Sequence, residues 1–150
     1  MSAGSSRHDV VVGAVVSLAA GRTVDLVWAN EAGGLTFAAG RGAGRCFIKW
    51  APAGSGLDLA GEAARMRWAG QFHPVPEPLD CGGDAAGSWL VTAALPGESA
   101  VSPRRAADPA TAIGEGLRAL HEALPAAAWP ILLERCGPPR RCPREPRRAA

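Results

Sequence analysis

Cys46-Phe47-Ile48-Lys49-Trp50-Ala51 decides how this chain folds. It is an apolar run of strand length with one primary ammonium inside it. Lys49 is also the chain's only lysine; the other fifteen of its sixteen basic residues are arginine. Burying an unpaired ammonium is costly or forces its neutralisation. The run therefore predicts a strand whose lysine meets an anion, and a carboxylate and a phosphate are the obvious choices.

Upstream, Thr23 to Ala29 alternates apolar and polar residues as a half-buried strand does. Asn30-Glu31-Ala32-Gly33-Gly34 reads as a turn, Leu35 to Ala38 as a second strand and Gly40 to Gly44 as a second turn. With Cys46 to Ala51 these make an antiparallel meander. Downstream, Ser55-Gly56-Leu57-Asp58 resembles a capping box, and Leu59, Ala63 and Met66 follow at helical spacing. This predicts a helix from about Gly56 to Ala69. Prolines 74, 76 and 78 mark an extended connector. Leu79 to Cys81 and Ser88 to Ala93 read as two more strands. Asp108-Pro109 opens a last helix, with Ile113, Leu117, Leu120 and Leu124 along one face.

At 150 residues and 47% hydrophobic content, one domain with a real core is expected. A net charge of +2 does not by itself point to nucleic acid. Six arginines stand between Arg135 and the end, where almost nothing apolar remains, so disorder is expected there. Abundant Gly, Pro, Ala and Arg is the mark of a GC-rich gene. Cys46, Cys81, Cys136 and Cys142 are widely spaced with no C-x-x-C pair, which favours reduced thiols and a cytoplasmic setting. Val10 to Ala20 has about the length of a signal-peptide core but is too short to span a bilayer. A short helix or strand packed on the domain is the expected reading, with no membrane partner.

Kinase-type phosphoryl transfer uses a lysine on the third strand, held by a glutamate on the following helix. Lys49 and Glu62 have that placement. Taken singly each is bland. A helical glutamate is commonly solvated, and Glu62 has Arg65 three residues away as an alternative partner. The ordered set is more specific than its members.

That set resembles the N-terminal part of an aminoglycoside phosphotransferase of the 3′-O-phosphotransferase kind. The residues that carry the resemblance are Phe47 to Pro52, Leu57 to Trp68, Pro74-Val75-Pro76, Trp89 to Gly97, and Leu117-Arg118-Ala119-Leu120-His121. They span roughly Val24 to Pro125. The resemblance implies an α+β fold: a kinase-like N-lobe, with an antiparallel sheet of about five strands and one helix, plus the first helix of the helical lobe. Residues 1–95 would be the ATP-binding lobe, 96–125 the hinge exit and first helix of the second lobe, and 126–150 an Arg/Pro-rich tail.

It also implies roles. Lys49 would contact the α- and β-phosphates of ATP and Glu62 would orient it. Gly33 and Gly34 would let the turn from Glu31 to Thr36 cover the phosphates. Thr92, Ala93 and Ala94 would form the hinge that meets the adenine edge. His121 would be a structural buried histidine. In the complete enzyme the partners would be Mg²⁺ and an aminoglycoside. The family's His-Gly-Asp catalytic loop is absent from this sequence, so no catalytic or metal residue is assigned. The expectation is a chain truncated or frame-shifted before that loop, and inactive alone. The N-lobe of another small-molecule kinase, and a non-catalytic binding module with a basic tail, are the alternatives.

Overall fold

The computed structural model describes residues 13–97 and 108–124. The Arg/Pro tail and the sequence before Gly13 lie outside these residues. Five strands form one antiparallel sheet: β1 (Val24–Ala29), β2 (Leu35–Ala39), β3 (Cys46–Pro52), β4 (Pro78–Gly83) and β5 (Gly87–Ala93). Their order across the sheet is β1-β2-β3-β5-β4, so β3 lies in the middle. This is the architecture of a kinase-like N-lobe, as the sequence predicts.

Side chains alternate across β3 and set up two separate cores. Cys46, Ile48 and Trp50 face one way and join Val15, Ala19, Ala39 and Val91. Val15 and Ala19 belong to a helix over residues 13–19, α1, which is the structural outcome for the Val10–Ala20 run. It adds a second helix to the lobe, where one was expected. On the other face Ala51 and Leu90 pack with Cys81 and with Leu59 and Ala63 of α2 (Leu59–Ala69). Ile48 and Leu90 are fully buried, one in each core.

The start of α2 corrects the sequence reading. The N-cap is Asp58, whose side chain accepts from the Gly61 N–H at 2.8 Å. Gly56 has φ +76, a left-handed conformation that no first helical turn accommodates, so a helix capped by Ser55 is excluded. Ser55 Oγ instead accepts from the Leu57 N–H at 3.3 Å, closing a local turn.

α3 (Pro109–Ala123) starts as expected, with Asp108 as N-cap and proline at its first position. Asp108 accepts from Ala110 N–H and from Thr111 Oγ1. Its apolar stripe lies open: Ile113 and Leu117 are exposed. His121 is exposed too, which corrects the expectation of a buried histidine. Cys81 is disulfide-bonded, which corrects the expectation of reduced thiols at that position. Among the described residues no helix is long and apolar enough to cross a membrane.

Candidate functional site

Lys49 and Glu62 meet. Lys49 Nζ donates to Glu62 Oε1, joining β3 to α2 in an ion pair. Lys49 alternates with Ile48 and Trp50, so its side chain leaves the sheet on the α2 face. Glu62 lies in the first turn of α2, where the helix dipole favours a negative charge. Ala63 beside it is fully buried against the sheet; its small side chain lets the helix come close enough for Glu62 to reach. The pair is half-buried, with 36% of the Lys49 side chain and 26% of the Glu62 side chain exposed. The ammonium thus has its carboxylate and still faces an opening. The rival pairing is not made: Arg65 turns to Asp58, Nη1 to Oδ2 3.9 Å.

The glycine turn closes the β1–β2 hairpin. Asn30 N–H donates to Gly34 O, Gly33 N–H to Asn30 O, and Gly34 N–H to Asn30 Oδ1 at 2.7 Å. Gly33 has φ +82, which favours glycine. A Cβ on Gly34 would lie 2.7 Å from both the Asn30 amide and Leu57 Cδ1. The turn is therefore braced by the loop that follows β3.

Thr92 is buried, opposite Phe47. Ala93 N–H donates to Glu77 O at 2.8 Å and Ala94 N–H to Arg45 O at 3.1 Å. Both of those donors are engaged within the protein, so an adenine edge meeting this segment would be read through its carbonyl oxygens.

The ladder places these parts along one line. Leu35, which follows the glycine turn, pairs with Trp50, and Ala93 pairs with Cys46. The turn and the 92–94 segment therefore lie at opposite ends of β3, separated by roughly 13 Å. Lys49 stands between them. Phe47, two residues before Lys49, shares its face, with the Arg45 guanidinium 5.2 Å from its ring centroid. Phe47, Asn30 and Leu57 are site-shaping residues that motif reading misses. Strand parity gives away Phe47; nothing in the sequence gives away Leu57.

Among the described residues no three of His, Cys, Asp and Glu converge to hold a metal ion. They do not fit a resident Mg²⁺.

A central-strand lysine paired to a helix glutamate, in a five-stranded antiparallel sheet whose first hairpin closes on a glycine turn, is the arrangement of a kinase-like N-lobe. Residues 29–147 match the phosphotransferase enzyme family, and the chain belongs to that family. The match runs past Pro125, where the resemblance carried by the motifs stops, so the tail lies largely within it. A 76-residue stretch is 40% identical to the aminoglycoside 3′-phosphotransferase of Streptomyces fradiae, covering 48% of this chain and 28% of that protein. The chain thus spans under a third of that relative's length.

Proposed function

We propose that this chain binds ATP on the open α2 face of its sheet and forms the nucleotide half of an ATP-dependent phosphotransferase. The acceptor is a hydroxyl of an aminoglycoside. What carries the reading is the Lys49–Glu62 pair, which leaves the ammonium fixed, half-exposed and aimed at the face where phosphates would lie.

Lys49 contacts the α- and β-phosphates, and Glu62 sets its position. The Gly33–Gly34 turn covers the phosphates with its backbone. Carbonyl oxygens of Thr92 to Ala94 meet the adenine edge, and Phe47 lies along the path between hinge and lysine. Residues 1–95 act as the ATP-binding lobe, 96–125 as the hinge exit and first helix beyond it, and 126–150 as a basic tail. No His-Gly-Asp stands within these 150 residues, so binding, and not turnover, is the property assigned to them. The acceptor class is supported by the 40% identity to an aminoglycoside 3′-phosphotransferase.

Calorimetric titration of ATP into the full chain tests this. Wild type binds, Lys49→Ala abolishes binding, and Glu62→Gln weakens it. Unchanged ATP affinity in Lys49→Ala would overturn the assignment.

A further inference from the structure

The glycine turn and α2 share one side chain. Leu57 is partly buried against Ala51, Leu59, Ala63, Cys81 and Leu90, the core beneath α2. Ala63 follows Glu62 directly, and Leu90 lies opposite Lys49 in the ladder. The far end of the same side chain lies on the turn: a Cβ at Gly34 would be 2.7 Å from Leu57 Cδ1. Gly34 has no side chain, so that methyl rests against its backbone, and Gly34 is buried there. Pro52 stands in the same relation to Gly33, its Cγ 3.3 Å from where a Cβ would lie.

The loop after β3 holds Leu57 in this place. Ala53 N–H donates to Ala86 O at 3.0 Å, tying the loop to the β4–β5 turn, and Ser55 N–H donates to Pro52 O at 3.1 Å. Gly54 and Gly56 are both left-handed, with φ +78 and +76, and turn the chain back. The Leu57 N–H then donates to Ser55 Oγ, and the next residue, Asp58, caps α2. Leu57 is thus fixed to the first turn of the helix that carries Glu62. The hydrogen bonds among Asn30, Gly33 and Gly34, by contrast, close the glycine turn on itself. Its contact toward the helix is this apolar one. Two elements in packed contact depend on each other's positions, and the dependence is reciprocal: what fixes one steadies the other.

We propose that Leu57 couples the glycine turn to α2, so that phosphates held under the turn tighten the helix carrying Glu62. This rests on the ATP-binding reading above and adds to it a positioning residue that acts through Gly34 without touching the ligand. The turn lies in the first hairpin of the sheet and the helix follows β3, so the coupling joins two parts of the site that no hydrogen bond among those described connects.

The test measures hydrogen exchange at the Ala63 to Ala69 amides of the full chain, without ATP and at saturating ATP. In wild type, ATP should slow exchange there by roughly three- to tenfold. Leu57→Ala, saturated with ATP, should lose most of that effect, and calorimetry should show its ATP affinity lowered by a similar factor. Leu57→Met keeps the volume and the reach of the side chain and should restore both. A merely structural Leu57 would behave differently: Leu57→Ala would speed α2 exchange equally with and without ATP, and that result overturns the proposal. Wild-type ATP affinity in Leu57→Ala also overturns it. If Leu57→Ala does not fold, Leu57→Val, whose side chain is one carbon shorter, takes its place in every comparison. Failure of the ATP reading shows separately, as a flat ATP titration of wild type. Urea denaturation then decides the coupling: Gly34→Ala should cost less stability beside Leu57→Ala than alone, because the methyl it meets is gone. An equal cost in both backgrounds would overturn the coupling.

Discussion

Arg65 is turned toward Asp58 and away from Glu62, its Nη1 lying 3.9 Å from Asp58 Oδ2. The contact is exposed and contributes little stability by itself. Its effect is one of allocation. Glu62 lies three residues before Arg65, within easy reach for a helical ion pair. With Asp58 occupying the arginine, the Glu62 carboxylate is left to Lys49. Asp58 thus caps α2 and keeps the site pair exclusive.

Asp58→Ala should act twice. Loss of the side-chain bond to the Gly61 N–H should cost about 1 kcal/mol. Arg65, released, should compete for Glu62 and weaken ATP binding a few-fold. Urea denaturation reads the first effect and calorimetry the second. If Asp58→Ala/Arg65→Ala does not recover affinity over Asp58→Ala, the competition argument is wrong.

Lys49→Met should separate binding from stability. The pair is half-exposed, so removing the ammonium should cost about 1 kcal/mol or less, while ATP binding disappears. A large loss of stability in urea would mean that the pair holds α2 on the sheet rather than serving a ligand.

Gly34→Ala should disturb the turn and spare the ion pair. The added methyl would sit 2.7 Å from the Asn30 amide and from Leu57 Cδ1. Overpacking of this kind should cost about 1–3 kcal/mol. ATP affinity should fall, yet the Lys49 ammonium should still show its contact with Glu62 in NMR spectra. Wild-type ATP affinity in this variant would remove the turn from the site.

The α3 cap should titrate. Asp108 is held below the usual aspartate pKa, first by the Thr111 hydroxyl and then by the Ala110 N–H. A depressed folded-state pKa stabilises the helix at pH above the unfolded value. That stabilisation is lost as pH falls through the folded value. The Ala110 amide shift should therefore move at a pH below the ordinary aspartate range, and Asp108→Asn should abolish the transition. Movement at or above that range would contradict the cap geometry.

The strands, the lysine and its glutamate were readable because each rests on short-range pattern. Alternation around Lys49 marks β3, and Leu59, Ala63 and Met66 at helical spacing mark α2. Three features were not readable, for distinct reasons. The α2 cap was misplaced by three residues because Ser55 and Asp58 are both good caps, and only the left-handed φ at Gly56 decides between them. The bulge at Val27 is a property of pairing between two strands, and neither strand's sequence announces it. His121 was expected in a core, but the described residues leave it in solvent. Motif order is a statement about the chain; burial is a statement about everything packed around it.

The central place of β3 also sets the order in which the molecule comes apart. A strand bonded on both edges, with α1 packed over one face, exchanges its amide hydrogens only in the rarest and largest openings. The edge strand β1 and the solvent-facing α3 open far more readily. The lysine is thus expected in the slowest-exchanging part of the lobe, and the glycine turn at the end of its more yielding edge hairpin. One end of the face is a fixed post and the other can give way.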